Sequence, residues 1–297
     1  MTLEVGENTM ETHSIAGGGL RATISQHGAE LCALADDRGR HVLWPGHDPW
    51  PRHAPNLFPI VGRLKHDRLR HAGRDYRMTQ HGFARDRAFT WLDATPTACR
   101  LELRDDAASR AIYPFAFRLE IAYAIDGDTL AITFSIDNPG DTVLPASFGA
   151  HPAFRWPLVD GIAKDAHMLE FAADEPSPIR RVAAGLLLAE RLPTPIQGRT
   201  LPLHDGLFAH DAIILDTPAS RWVRYSAPGA PVVKVSWDAG FPHLGIWARP
   251  DAALLCIEPW HGMSSPEAFD GDFIDKPGLM LIPPGASRQA THSIAIA

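Results

Sequence analysis

The stretch LPASFGAHPAF, residues 144–154, is the segment from which the fold and the chemistry of this sequence can be worked out. It places His151 between small residues and Pro152, with Phe148 and Phe154 on either side. Proline stiffens the backbone, and the neighbours predict apolar surroundings for an imidazole that titrates near neutral pH. Such a histidine is suited to donate a proton, although a histidine that only caps a turn has the same signature.

Short apolar runs separated by turn residues extend outward from this stretch. Runs at residues 89–92, 100–103, 117–125 and 130–136 precede it, and the Asp126-Gly127-Asp128 turn predicts a tight hairpin between the last two. Runs at 20–24, 29–34 and 41–44 predict an opening antiparallel meander. The 24 glycines and 26 prolines indicate many turns. The sequence therefore predicts an all-β fold, a large antiparallel β-sandwich.

Length and charge limit the possible functions. The 297 residues are compatible with one domain of this class, in which residues 1–16 are expected to form a peripheral or poorly ordered segment. A net charge of −7 without a long basic run argues against nucleic acid or an anionic membrane surface as partner. We find neither a membrane-spanning apolar run nor the pattern of a signal peptide, and expect a cytoplasmic protein.

Three cysteines, Cys32, Cys99 and Cys256, lie far apart in the sequence. Their odd number and wide spacing predict reduced thiols, and they suggest neither a disulfide framework nor a local zinc motif. A metal site would need two or three close ligands, which the spacing does not show, so we expect none. There is also no glycine-rich phosphate loop.

Four side chains at predicted strand ends carry the chemistry: His81, His151, Glu258 and Arg63. Glu258 closes an apolar strand, where an unpaired carboxylate is costly to bury, so we expect it to have a functional role. Tryptophans and phenylalanines lie beside all four. Aromatic faces for a pyranose ring, an arginine for its hydroxyls and an acid–base pair are the components of a carbohydrate site. A glycosidase would need two carboxylates across the bond, and only one is well placed.

The ordered motifs of the chain resemble those of the aldose 1-epimerase (galactose mutarotase) family, especially its LacX-like branch. The resemblance runs from about Leu20 to the C-terminus. The motifs are Leu43-Trp44-Pro45-Gly46, Leu57-Phe58-Pro59-Ile60-Val61-Gly62-Arg63-Leu64, His81-Gly82-Phe83-Ala84-Arg85, Tyr113-Pro114-Phe115, Phe148-Gly149-Ala150-His151-Pro152-Ala153-Phe154 and Ile257-Glu258-Pro259-Trp260.

The resemblance implies a galactose mutarotase-type β-sandwich and cofactor-independent interconversion of the α and β anomers of an aldose. It further implies Glu258 as the base at the C1 hydroxyl, His151 as the acid at the ring oxygen, His81 as a second histidine at that oxygen, and Arg63 as a sugar-binding residue. The better-studied galactose mutarotases have Asn-Arg in place of Gly62-Arg63. Their sugar-binding Asp-His pair corresponds to His210-Asp211 here, so Asp211 is a substrate-binding candidate.

Other functions remain open at this point. The same cleft could belong to a sugar sensor or regulatory protein without turnover, and a purely structural sandwich would keep the histidines for its core. For the enzyme we expect a monosaccharide partner, a hexose or a related aldose, and a monomer or homodimer. The sequence does not identify the sugar or say whether it is phosphorylated.

Overall fold

The computed structural model describes residues 11–297, which form mainly antiparallel strands. The strands are Thr12–Gly17 (β1), Leu20–Ser25 (β2), Leu31–Asp36 (β3), Asn56–Leu57 (β4), Arg68–His71 (β5), Arg74–Arg77 (β6), Thr90–Ala94 (β7), Ala98–Arg104 (β8), Arg118–Asp126 (β9), Thr129–Asp137 (β10), Leu144–Ala146 (β11), Phe148–Ala150 (β12), Ala153–Arg155 (β13), Met168–Phe171 (β14), Val182–Ala183 (β15), Leu186–Leu187 (β16), Thr200–Pro202 (β17), Ile213–Leu215 (β18), Trp222–Ser226 (β19), Val233–Trp237 (β20), His243–Trp247 (β21), Leu254–His261 (β22), Met280–Ile282 (β23) and Ser287–Ile296 (β24).

Helical structure in this part of the chain is short. One α-helical turn, α1, spans Ala107–Arg110 and is capped by the Asp106 carboxylate, which accepts a hydrogen bond from the Ser109 N–H. Turns of 3₁₀-helix occupy Lys65–Asp67, Ala84–Asp86, Lys164–Ala166, Asp205–Phe208 and Phe273–Asp275. Between residues 11 and 297, no helix combines the length and apolarity that crossing a bilayer requires.

A nine-stranded antiparallel sheet in the order β17-β14-β19-β20-β24-β10-β9-β8-β7 forms one layer. In β10, every second side chain is buried, with Leu130, Ile132, Phe134 and Ile136 facing the core. The register pairs Thr129 with Asp126, so Gly127 and Asp128 form the two-residue hairpin loop that the sequence predicts. The four strands predicted between residues 89 and 137 correspond to β7–β10.

A second sheet, in the order β18-β21-β22-β12-β4 with β13 also pairing β22, packs on the first. Phe134 of β10 and Phe148 of β12 meet across the interface with ring centroids 5.6 Å apart. These side chains belong to one large buried apolar cluster that draws on both sheets. The predicted antiparallel β-sandwich is therefore confirmed.

The N-terminal meander differs in detail from its prediction. Its strands are β1, β2 and β3, whereas residues 41–44 form only isolated bridges. The reason is that Val42 donates its N–H to Leu34 in β3, while Trp44 donates to Ala153 in β13. Residues 12–16 of the predicted peripheral segment are paired in edge strand β1, and residues 1–10 of that segment lie outside the described residues.

Candidate active site

Strand β22 separates the core from a cavity. Because side chains alternate along a strand, Leu255 and Ile257 join the main core cluster, and Cys256, Glu258 and Trp260 lie on the opposite face. The Trp260 indole lies over two neighbouring strands at positions where only glycine fits. A Cβ at Gly149 or Gly245 would come within 2.5 or 2.4 Å of this ring.

The cavity has a volume of about 270 Å³ and opens to solvent beside the second sheet. Its walls combine three indole rings with ionisable side chains. The lining includes Trp50, Trp247, Trp260, His81, His151, Glu258, Gln80, Arg85, Arg249, Asp211 and Ser264. Cavities for drug-sized ligands usually measure about 300–1,000 Å³, so this one has the size for a small polar ligand.

His151 directly follows β12, and Glu258 lies in the middle of β22. His151 Nε2 is 3.2 Å from Glu258 Oε2, and the two side chains are 9% and 1% exposed. The His151 ring stacks on Trp50, with centroids 5.5 Å apart and an interplanar angle of 28°. Residues more than a hundred positions apart thus form one buried carboxylate–imidazole pair.

His81 completes this group, with its ring centroid 5.5 Å from that of His151. Its backbone N–H donates to the Gly62 carbonyl at 2.7 Å, and the Gly62 N–H donates to His81 Nδ1 at 3.1 Å. Since Nδ1 accepts, the neutral ring carries its proton on Nε2. His81 is therefore held as a neutral donor at the cavity wall.

Comparison with known proteins identifies the family. A family model described as aldose 1-epimerase matches residues 11–276. The chain belongs to the aldose 1-epimerase family. The chromosomal protein LacX of Lactococcus lactis subsp. lactis is 31% identical over 285 residues, which cover 91% of this chain and 94% of that protein.

Solved structures agree with this assignment. A galactose mutarotase related enzyme from Lactobacillus acidophilus superposes with a TM-score of 0.89 at 30% identity, covering 97% of both chains. A galactose mutarotase-like protein from Lactobacillus casei superposes with a TM-score of 0.88 at 26% identity, covering 97% of this chain and 100% of that one. The epimerase-type sandwich inferred from the motifs is confirmed.

Arg63, the arginine that the family resemblance assigns to the sugar, lies elsewhere. Its Nε and Nη2 donate to the two carboxylate oxygens of Asp67 at 2.6 and 2.8 Å, and it is not among the residues that line the cavity. Gly62 has φ of +70°, and a Cβ there would lie 1.9 Å from Ser264 Oγ. This placement gives no support to the predicted sugar contact of Arg63.

Arg85 is the arginine that does line the cavity. It follows His81 in the same motif, on the 3₁₀ turn Ala84–Asp86, and only 17% of its side chain is exposed. Its Nη2 donates to the Gln80 carbonyl at 2.7 Å, whereas its buried Nε has no hydrogen-bond partner among residues 11–297. Burial and the nearby Arg52 lower the pKa of the Arg85 guanidinium to about 10, so it remains charged at neutral pH.

Asp211 lies at the cavity rim, as the resemblance implies for a sugar ligand. Its φ is +65°, and its Oδ1 accepts the Ala212 N–H at 2.7 Å. This turn directs a solvent-exposed carboxylate toward the opening. The cavity lining therefore includes an acceptor, Asp211, as well as the Arg85 donors.

Burial is the main cause of the pKa shifts of Glu258, His151 and His81. It raises the pKa of Glu258 well above 4.5, an effect partly offset by the Trp260 indole N–H. It lowers the pKa of His151 to about 3, and that of His81 well below 6.5, with Arg85 adding to both shifts. Both shifts favour the uncharged forms, a protonated Glu258 beside an unprotonated His151.

Sequence reasoning missed several cavity residues. Trp50 lies between Pro49 and Pro51, and Trp247 ends β21. Arg85 belongs to the His81–Arg85 motif, from which no role was predicted for it. The usable signal was the position of Arg85, four residues after His81 on a short turn. For Trp50 and Trp247 no local pattern separates a cavity aromatic from a core aromatic.

Proposed function

We propose that this chain is an aldose 1-epimerase, an isomerase that interconverts the α and β anomers of a monosaccharide. The observation that carries the proposal is the 3.2 Å contact between His151 Nε2 and Glu258 Oε2 inside an indole-lined cavity. The two reacting oxygens of a cyclic aldose, O1 and the ring oxygen, are bonded to the same carbon. A donor and an acceptor side by side suit that geometry.

The reaction uses the single proton of the pair. Since the pKa shifts place the proton of the resting pair on Glu258, it first passes from Glu258 Oε2 to His151 Nε2 across their 3.2 Å contact. Glu258 then takes the O1 proton, the C1–ring oxygen bond breaks, C1=O1 forms, and His151 protonates the ring oxygen. The pair ends with its proton on Glu258 and its net charge unchanged, so no charge is created in the buried site. Rotation about C1–C2 and reversal of the steps give the other anomer.

Binding is assigned to the walls of the cavity. Trp50, Trp247 and Trp260 offer faces to the C–H side of the ring, and His81 Nε2–H donates a hydrogen bond near the ring oxygen. Arg85 and Asp211 contact the sugar hydroxyls, with Arg85 taking the place predicted for Arg63. The volume of about 270 Å³ favours a monosaccharide.

The test is anomer exchange, followed by NMR or polarimetry, over a panel of aldoses and their phosphate esters. Acceleration above the spontaneous rate, lost in Glu258→Gln, is expected. Saturable sugar binding by calorimetry without acceleration for any sugar would instead select the sensor alternative. If no sugar of the panel binds and none shows accelerated exchange, both functions are contradicted.

A further inference from the structure

Cys256 adds a third donor atom to the His151–Glu258 pair without itself lining the cavity. Cys256 precedes Glu258 by two residues on the same face of β22. The Cys256 thiol, a ring nitrogen of His151 and a carboxylate oxygen of Glu258 all lie within 4.8 Å of one another. The spacing of these residues along the sequence gives no sign of this group, because His151 comes from the strand end across the sheet.

The group is buried and has unused polar atoms. Cys256 is fully buried, Glu258 is 1% exposed and His151 is 8% exposed. In the part of the chain that the structure describes, Glu258 Oε2 has no hydrogen bond beyond its 3.2 Å contact with His151 Nε2, and His151 Nδ1 has no partner. Buried polar atoms without partners are costly, and both of these residues line a cavity that opens to solvent.

The donor set matches one class of ligand. Thiolate, imidazole and carboxylate are the ligands of Zn²⁺ and of similar thiophilic cations, whereas Mg²⁺ and Ca²⁺ prefer oxygen alone. Metal–ligand bonds of about 2.0–2.3 Å place tetrahedral ligand atoms about 3.3–3.8 Å apart. The donor atoms of Cys256, His151 and Glu258 lie within 4.8 Å of one another, so metal binding must bring them closer by about 1 Å. A dication with one thiolate and one carboxylate also forms a neutral complex, which suits a buried site.

We propose that Cys256, His151 and Glu258 form a binding site for a thiophilic divalent cation, Zn²⁺ or Cd²⁺, whose occupancy excludes the sugar. On binding, the Cys256 S–H bond breaks and its proton leaves to solvent together with any proton on Glu258, while the thiolate sulfur bonds to the metal. Metal binding does not depend on the proposed epimerase reaction, whereas the competition with sugar rests on it.

The binding test is a Cd²⁺ titration that records cadmium–thiolate charge-transfer absorbance and heat, in a Cys32→Ser background that removes the partly exposed thiol. One Cd²⁺ per chain with a thiolate band is expected. Cys256→Ala and Cys256→Ser should lose the band and weaken binding by at least about tenfold. Cys99→Ala, which removes another buried thiol in β8, should keep both. Circular dichroism verifies the fold of each variant.

No thiolate band in the parent, or a band that persists in both Cys256 variants, would overturn the site. The competition test compares Zn²⁺ inhibition of anomer exchange with the metal-free rate of each variant. Competition is supported if added sugar relieves the Zn²⁺ inhibition and if Cys256→Ala weakens that inhibition at least about tenfold. Equal inhibition in parent and variant overturns the competition. Cadmium binding by a chain that shows no anomer exchange would support the metal site and contradict the epimerase function.

Discussion

His151 and His292 are two buried histidines with different surroundings. Burial lowers the pKa of each to about 3, and each has an Nδ1 without a hydrogen-bond partner among the described residues. His292 lies in β24 between Phe134 and Phe241, with ring centroids 6.2 and 5.8 Å away. His151 borders the cavity and contacts Glu258. A perturbed pKa therefore does not by itself mark a functional histidine, and the partner and the access to solvent make the difference.

The largest effect is expected from removing the carboxyl group that distinguishes the His151 site. Glu258→Gln keeps the shape of the side chain but cannot accept the O1 proton, so the turnover rate should fall by about 10³- to 10⁴-fold. Anomer exchange by NMR measures the rate, and thermal unfolding checks the fold. A variant that is folded and retains more than about a tenth of the parental rate would contradict the role of Glu258 as base.

Matched substitutions at the two histidines test the comparison directly. His151→Gln should reduce turnover by about 10²- to 10³-fold, because the ring oxygen loses its proton donor. His292→Gln should lower stability while the folded fraction keeps the parental rate, since His292 does not line the main cavity. Equal losses of turnover per folded molecule in both variants would show that burial, and not contact with Glu258, is what matters.

The two arginines form a second matched pair. Arg85→Met removes a guanidinium from the cavity wall and should raise KM by about 10- to 100-fold, as expected for a hydrogen bond to a charged group. Arg63→Met breaks the pair with Asp67 at a half-exposed position and should leave KM near the parental value. Steady-state exchange kinetics distinguish the two, and a reversed order would restore Arg63 as the sugar contact.

Burial should extend the activity of the Glu258–His151 pair to lower pH than an exposed pair would allow. With ordinary values, a one-proton pair would exist only between the pKa of Glu, 4.5, and that of His, 6.5. Burial reverses this order, since the pair gains a second proton only as pH approaches about 3 and loses its proton only well above 4.5. On the acid side, the enzymatic part of kcat/KM should therefore show no half-maximal point at 4.5 and should fall only as pH approaches about 3. An acid limb with its half-maximal point at 4.5 or above would contradict a His151 buried as the structure has it.

The smallest effect concerns His292 alone and appears in unfolding. Its folded pKa of about 3 lies below the unfolded value of 6.5, so the unfolded chain binds the proton first. Stability is therefore present above pH 6.5 and is lost as pH falls toward 3. At pH 5, His292 should lower the free energy of unfolding by about 2 kcal/mol relative to neutral pH, and His292→Leu should remove this loss. Denaturant unfolding at pH 7.5 and pH 5 measures it, and an unchanged pH dependence in the variant would contradict the neutral burial of His292.

Local patterns sufficed where neighbouring residues decide the structure. The runs that became β7–β10 alternate in the printed sequence, and the Asp126-Gly127-Asp128 turn sets its own hairpin. The contact of Arg63 with Asp67, four residues later, could not be read from the local pattern, and the role of Arg63 toward the sugar stays a prediction. Local patterns failed for residues 41–44, whose hydrogen bonds are divided between two distant partners.

The sequence alone determined the β-sandwich and the family, and it singled out His81, His151 and Glu258 as candidates, because strand alternation and short motifs are local properties of the chain. Only the tertiary structure decided which arginine faces the cavity, that His151 and Glu258 lie in contact, and that Cys256 lies beside them. These depend on the register of β22 against β12 and β13, which sets distances between residues a hundred positions apart. No spacing along the chain encodes a distance across a sheet, and burial in that sheet is what shifts the pKa values on which the chemistry depends.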